Sequence, residues 1–302
     1  MARHREPFKP TRVPPGRRVE LPGRGAIWVR EEPGPEGAVT LLLLHGLGAT
    51  GGLNWGSAIA ELGRRFRVIA VDHRGHGRGI RTGRFRLEDC AEDVAALADE
   101  LRLDRPVLVG YSMGGPIAAL VWRYHRDLPR GIVFCATSRN FQGTPGEKAM
   151  FLALAAAGLS PFSLPPVVLR SWAGLLCAIP AVPTWPTNVM RWTLDEMAGH
   201  DPRCLIQAAG ELGRFDATNW IHEVDVPTAV VATTRDQLVS IRRQVHLAQA
   251  IPSAVLHPVD TGHLNVVWRG TNPLVETLLG ACEEVVDRAA AREARGVVIS
   301  AT

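Results

Sequence analysis

The sequence predicts an α/β fold: a doubly wound, mostly parallel sheet that carries an inserted helical cap. Three observations predict it. Near-continuous apolar runs alternate with amphipathic stretches up to about Ala136, the pattern of strand–helix units in a buried parallel sheet. From Thr137 to about Val226 the alternation stops, and helical patches are separated by Pro161, Pro165, Pro166, Pro180, Pro183 and Pro186. It resumes at Thr228, and 302 residues suffice for one large domain with such an insertion.

Each element follows from local pattern. Residues 1–16 read as a flexible basic arm, because Pro10, Pro14, Pro15 and Gly16 break any regular structure among its arginines. Arg17–Leu21 and Ala26–Arg30 flank Pro22-Gly23 and predict an opening hairpin. Ala38–Leu44, AVTLLLL, is a fully buried strand that ends at His45-Gly46. Helical spacing covers Asn54–Phe66, and Arg67–Val71 is the next buried strand. Leu87–Leu101 is an amphipathic helix, with Ala91, Val94, Ala95, Leu97 and Ala98 along or near one face. Pro106–Gly110 is a strand, Met113–His125 a helix leaving it at once, and Gly131–Ala136 a further strand. Beyond the insertion come a strand at Thr228–Ala232, a helix at Arg242–Ala250 and a strand at Ala254–Pro258. A long helix from Pro273 to about Arg295 follows. The expected organisation is therefore a core at 17–137 and 227–296, a cap at 138–226 and a frayed tail at 297–302.

Composition narrows the class. Apolar residues make up 46% and charged residues 21%, as in soluble globular proteins. The formal charge of +4 is mild and concentrated in the arm, which reads as a solvated leader and predicts no nucleic-acid partner. Lys9 and Lys148 are the only lysines, and neither follows a glycine-rich turn, so there is no P-loop. Cys90, Cys135, Cys177, Cys204 and Cys282 form no CxxC pair. They predict free core thiols in a reducing compartment, with no metal and no disulfide framework. The first residues carry no apolar signal core, and the longest apolar run, Met150 to Leu159, is too short to span a bilayer. A cytoplasmic protein with no stable membrane insertion and no cofactor is expected.

The chemistry rests on Gly110-Tyr111-Ser112-Met113-Gly114, a G-x-S-x-G pentapeptide. A buried strand, PVLVG, runs into it and a helix, GGPIAALVW, leaves it, so Ser112 sits at a tight strand-to-helix turn. Glycines are needed there because a Cβ would collide with neighbouring strand and helix. A serine hydroxyl needs a base within hydrogen-bond reach, supplied by a loop at the carboxyl end of a later strand. His263 fits, after AVLHPV and Asp260-Thr261-Gly262. The base needs an orienting carboxylate, and Asp236 follows the strand TAVVATT. Asp260 is nearer in sequence but caps the loop, and Asp225 precedes its strand, at the wrong end of the sheet. His125, His200, His222, His246 and His257 have no motif context and read as surface or satisfied core residues. Oxyanion donors are expected from the backbone N–H of Met113 and, in His45-Gly46-Leu47-Gly48, of Leu47.

These pieces together resemble the α/β-hydrolase superfamily, in the branch of esterases, lactonases, perhydrolases and carbon–carbon hydrolases with a helical cap. The matching motifs are HGLG at 45–48, DHRGHGRG at 72–79, GYSMGG at 110–115, the strand-end Asp236 and TGH at 261–263. The resemblance implies that Asp72 to Gly79 form a structural loop beside the site, braced by His73 and Arg74. It also implies a serine hydrolase forming an acyl-enzyme. Epoxide hydrolases and haloalkane dehalogenases of this fold use aspartate where Ser112 stands, which argues against those activities. Perhydrolysis and carbon–carbon cleavage use the same triad and stay open.

Gly46-Leu47-Gly48-Ala49-Thr50-Gly51 is a literal G-x-G-x-x-G after a buried strand, and Asp72 ends the next strand at about the distance of a ribose contact. A helix expected to start near Leu53 or Asn54 is displaced from that loop, and an NAD(P)-binding oxidoreductase leaves GYSMGG, Asp236 and His263 unexplained. A metal site from Asp72, His73 and His76 is not expected. A non-catalytic scaffold would lack a triad member or an oxyanion glycine, and none is missing. Between Lys148 and Arg191 the only charge is Arg170, and this apolar stretch predicts a small, apolar ester-type substrate. Tyr111, Asn54, Trp55, Asn265 and Val266 are the expected pocket residues.

Overall fold

The structure, a computed structural model, describes residues 12–141, 187–263 and 273–300. Its centre is a sheet of eight strands: β1 (Gly16–Leu21), β2 (Gly25–Glu32), β3 (Thr40–Leu44), β4 (Arg67–Asp72), β5 (Val107–Tyr111), β6 (Gly131–Cys135), β7 (Thr228–Thr233) and β8 (Ala254–Val259). The spatial order is β1-β2-β4-β3-β5-β6-β7-β8. The opening hairpin pairs antiparallel, β2 joins β4 antiparallel, and every pairing from β4 to β8 is parallel.

Period-two alternation explains why the middle strands read as continuous apolar runs. Leu42 and Leu44 of β3 face one buried cluster, and Leu41 and Leu43 the other. All four are fully buried. At roughly 1.5–3 kcal/mol for each buried leucine side chain, the strand is held by burial on both faces. The first cluster is completed by α3 (Leu87–Glu100) and α4 (Gly114–Tyr124). The second is completed by α1 (Gly51–Trp55), α2 (Ile59–Leu62) and the terminal helix, which covers Pro273–Ser300.

Three expectations are corrected. Asn54–Phe66 is not one helix but parts of α1 and α2, separated at Gly56–Ala58. The first of these starts at Gly51, not near Leu53 or Asn54, because Thr50 Oγ1 caps it by accepting the Leu53 N–H at 3.0 Å. The terminal helix runs past Arg295 to Ser300, into the expected tail.

Of the interrupted region, the structure describes α5 (Thr187–Met197), α6 (Pro202–Arg214) and a 3₁₀ turn at Ile221–Glu223. Cys204, Ala208 and Leu212 of α6 join the first core cluster, so this half packs as part of the core. The apolar stretch 148–186 lies outside the described residues. The helix α7 (Ile241–Ala250) links β7 to β8. Parallel pairing places the ends of β3 to β8 at one edge, where the loops carrying Leu47, Asp72, Ser112, Asp236 and His263 emerge.

Candidate active site

The Ser112 turn is forced by close packing. A Cβ on Gly114 would sit 2.1 Å from the Leu44 carbonyl oxygen, and one on Gly110 2.3 Å from that of Gly114. Only glycine lets α4 start so close to β3 and β5. Ser112 takes φ +50°, a left-handed conformation that non-glycine residues rarely adopt. Three bonds hold it there. Its N–H donates to the Cys135 carbonyl at 2.9 Å, and its carbonyl accepts from Gly115 N–H at 2.9 Å and Thr137 Oγ1 at 2.7 Å. With its backbone fixed, the Ser112 hydroxyl has no hydrogen-bond partner among the described residues.

Asp236 and His263 meet at the ends of β7 and β8. His263 Nδ1 lies 2.7 Å from Asp236 Oδ2, whose side chain is fully buried. The same oxygen accepts from Thr233 Oγ1 at 2.7 Å, and Oδ1 accepts the N–H groups of Leu238 and Val239 at 2.9 and 2.8 Å. Burial alone would raise the Asp236 pKa. The bond to His263, its charge, and the Val239 and Thr233 donors outweigh burial and hold the carboxyl below its ordinary value. An ionised acceptor at Nδ1 places the ring proton there and leaves Nε2 as the basic nitrogen. Tyr111 ties this pair to the elbow: its hydroxyl donates to the His263 carbonyl, and the two rings lie 5.4 Å apart. No hydrogen bond joins the Ser112 hydroxyl to His263 among the described residues. Such bonds often tighten only when substrate is bound.

The turn after β3 is closed by Ala49 N–H donating to the Gly46 carbonyl at 3.2 Å, with Gly48 at φ +70° in its third position, the arrangement of a type II turn. Gly46 N–H donates to Asn54 Oδ1 at 3.0 Å. His45 Nε2 accepts the His73 N–H at 3.0 Å, so its Nδ1 carries the proton and donates to the Gly46 carbonyl at 2.7 Å. Among the described residues the N–H groups of Leu47 and Met113 engage no acceptor. They are the two that the sequence singles out for an oxyanion.

Loop 72–79 braces this turn. Asp72 accepts Gly51 N–H at 2.8 Å on one oxygen and Arg78 N–H at 2.9 Å on the other, so its carboxylate is committed to the backbone and not to a ribose. Burial pushes its pKa up to about 6. With α1 starting at Gly51, the helix N-terminus is not displaced from the glycine loop as expected; it is the commitment of Asp72 to the backbone that leaves no ribose acceptor. Arg74 forms a two-pronged bond to Asp93, 2.7 Å on each arm. His45, His73, His76 and His200 form a run of neighbouring rings, with centroids 4.4, 5.2 and 5.5 Å apart for the pairs 45–73, 45–76 and 76–200. Burial lowers His45 to about 3 and His200 to about 4, and holds His73 and His76 well below the ordinary value, so all four rings are neutral at pH 7. Among the described residues, no group of three His, Cys, Asp or Glu side chains could hold a metal ion.

The remaining candidates fall into place. Trp55 is fully buried, edge-on to Tyr111 at 5.9 Å in the core, and Asn54 is buried under the turn it supports. Asn265 and Val266 lie outside the described residues. Asp260 is exposed and pairs with Arg235, while Asp225 accepts from Trp122 Nε1. His125 and His257 pair with Glu92 and Glu284. Glu196, which the sequence does not single out, and His200, read there as a surface or satisfied core residue, reach the site's edge. Glu196 of α5, 2% exposed, accepts from Arg30, Arg78 and Thr50 at 2.7, 2.7 and 2.8 Å. The His200 ring lies against Gly48 and Gly77.

The chain is similar to known proteins over most of its length. A family model described as "alpha/beta hydrolase fold" matches residues 39–157. The chain is 31% identical over 246 residues to the magnesium-chelatase 30 kDa subunit of Rhodobacter capsulatus, covering 78% of this chain and 84% of that one. It is 28% identical to the pimeloyl-[acyl-carrier protein] methyl ester esterase of Chromobacterium violaceum, covering 72% and 84%. Its fold matches the crystal structure of the enol-lactonase from Burkholderia xenovorans LB400 with a TM-score of 0.70 at 20% identity, over 90% of this chain and 100% of that one.

Proposed function

This chain belongs to the α/β-hydrolase family, and from that premise we propose that it is a serine hydrolase cleaving a carboxylic ester or lactone with an apolar acyl or alkyl part. One observation carries the reading: the 2.7 Å bond between buried Asp236 and His263, tied to the Ser112 elbow through Tyr111. His263 Nε2 takes the Ser112 proton as Oγ bonds to the substrate carbonyl carbon. The amides of Leu47 and Met113 hold the oxyanion. His263 returns the proton to the departing alkoxide, then draws one from water, whose oxygen displaces Ser112 and releases the acid. The esterase and enol-lactonase names among the similar proteins support an ester or lactone bond. Free buried Cys90, Cys135, Cys204 and Cys282 fit a reducing, cytoplasmic setting.

The apolar part rests on the nearly uncharged stretch between Lys148 and Arg191, and on Leu47, which leaves about a third of its surface exposed at the oxyanion turn. On nitrophenyl esters of increasing acyl length, kcat/KM is expected to peak at medium chains. A maximum at acetate, or a preference for charged acyl groups, removes the apolar reading. No turnover of any ester, with no labelling of Ser112 by a fluorophosphonate, removes the serine-hydrolase reading itself.

Asp236→Asn has a defined consequence. Oδ1 already accepts two backbone N–H groups, so the amide oxygen stays there and its NH₂ faces His263. Nδ1 must then accept and Nε2 carries the proton, the wrong tautomer for a base. A fall in kcat of about 10⁴ is expected with little change in melting temperature. A fall below tenfold at neutral pH contradicts the proposed orienting role.

A further inference from the structure

Between α5 and α6 the chain places one imidazole against two loops of the site. Gly77 N–H donates to His200 Nδ1 at 2.8 Å. That nitrogen is therefore unprotonated, and Nε2 carries the proton it gives to the Gly48 carbonyl at 3.2 Å. Neighbouring backbone bonds make the ring's position rigid. His200 N–H donates to Met197 at 3.0 Å, Asp201 N–H to Gly75 at 2.9 Å, and Arg81 holds the Gly199 carbonyl at 2.7 Å.

Gly48 is the left-handed third residue of the turn that carries the Leu47 N–H. Four polar attachments fix that turn and the cap that follows it: Gly46 N–H to Asn54, Ala49 N–H to Gly46, Gly48 carbonyl from His200, and Thr50 hydroxyl to Glu196. Two of the four come from the inserted region. Within the turn itself, the Gly48 carbonyl belongs to the Gly48–Ala49 peptide, two units along from the Gly46–Leu47 peptide that carries the donor N–H, and the His200 bond restrains rotation at that end of the turn.

We propose that His200 is a positioning residue for the oxyanion turn: by holding the Gly48 carbonyl it keeps the Leu47 N–H set for the developing oxyanion. This rests on the serine-hydrolase reading above. The ring's two nitrogens allow a test that separates positioning from mere packing. In His200→Asn the amide oxygen reaches about where Nδ1 stood, so the Gly77 bond is kept and the Gly48 bond lost. In His200→Gln the longer amide places its NH₂ near the Nε2 position, so the Gly48 bond is kept and the Gly77 bond lost.

The experiment measures kcat and KM on one nitrophenyl ester, the affinity of a trifluoromethyl ketone, which Ser112 converts to an oxyanion-bearing adduct, and melting temperature. Removing an oxyanion donor outright costs about 10²–10³ in kcat, and mispositioning one costs less. His200→Asn is expected to lose about 30-fold in kcat and a similar factor in ketone affinity, with KM within about threefold. His200→Gln is expected to stay within about threefold in kcat. Equal losses in both variants, a larger loss in Gln, or an unchanged kcat in Asn overturns the proposal. Unfolding of either variant assigns the ring to stability and also overturns it. If the wild-type chain is not labelled by fluorophosphonate and hydrolyses no ester, the serine-hydrolase reading has failed. If it does both and the variants match each other, only the role of His200 has failed.

Discussion

Ser112→Ala is expected to lower kcat by about 10⁵ or more while leaving the fold unchanged. The hydroxyl is the only group the elbow offers to form the acyl-enzyme, so its removal eliminates the pathway. Residual catalysis would come from the oxyanion donors and substrate binding alone. Stability should not follow activity. The Ser112 side chain makes no hydrogen bond among the described residues, and alanine keeps the Cβ that already tolerates φ +50°. The bonds that hold the turn run through the Ser112 backbone and survive. Turnover and melting temperature measured on the same preparation check both halves. Near-normal turnover would show that the nucleophile lies elsewhere.

Between pH 7 and pH 5 the fold should lose several kcal/mol of stability. His45, His73, His76 and His200 are held neutral by burial, His45 down to about 3 and His200 to about 4. In the unfolded chain each titrates near its ordinary value of about 6.5. Folded pKa values below unfolded ones mean that the stabilisation is present above about pH 6.5 and is lost as pH falls, because the unfolded state binds the extra protons. At pH 5 the His45 and His200 rings each cost roughly 2 kcal/mol, and His73 and His76 act in the same direction. Asp72 acts in the opposite direction. Its pKa is raised to about 6, so it binds its proton first in the folded state and offsets roughly 1 kcal/mol of the loss at pH 5. Asp236, held below its ordinary value, contributes only at more acid pH. The net loss from the His45 and His200 rings alone is a few kcal/mol, a sizeable share of the about 5–15 kcal/mol that holds a typical domain together. Urea midpoints across this range test it. A proton uptake on unfolding that stays at one or below would contradict four neutral buried rings.

The strands were legible because burial on both faces leaves an unbroken apolar run, as in Thr40–Leu44 and Val107–Tyr111. The meeting of Asp236 with His263 was legible because each follows such a run, and parallel strands deliver their carboxyl ends to one edge. The start of α1 was not legible. Gly51 and Gly52 are poor helix formers that mask the local Thr50 cap, and the other bond that begins the helix, from Gly51 N–H, goes to Asp72 at the far end of β4. Nor was the role of Glu196. A carboxylate beside Asp195 on an amphipathic helix reads as solvated surface, and its partners Arg30, Arg78 and Thr50 lie more than a hundred residues away in sequence. His200 likewise carries no local sign of the two backbone groups that meet it.

Glu196 also bears on how such a protein could be rebuilt by recombination. A helical insertion looks portable, since one could excise it at its two junctions and graft another in its place. Here the exchange would strip Arg30, itself almost wholly shielded from water, of its counter-ion and leave Thr50 without its acceptor. An uncompensated buried guanidinium costs about 3–5 kcal/mol, so a successful chimaera must inherit the acid and the strand-borne base together. The seam along which this architecture can be cut therefore runs through β2 and α5, not around the insertion.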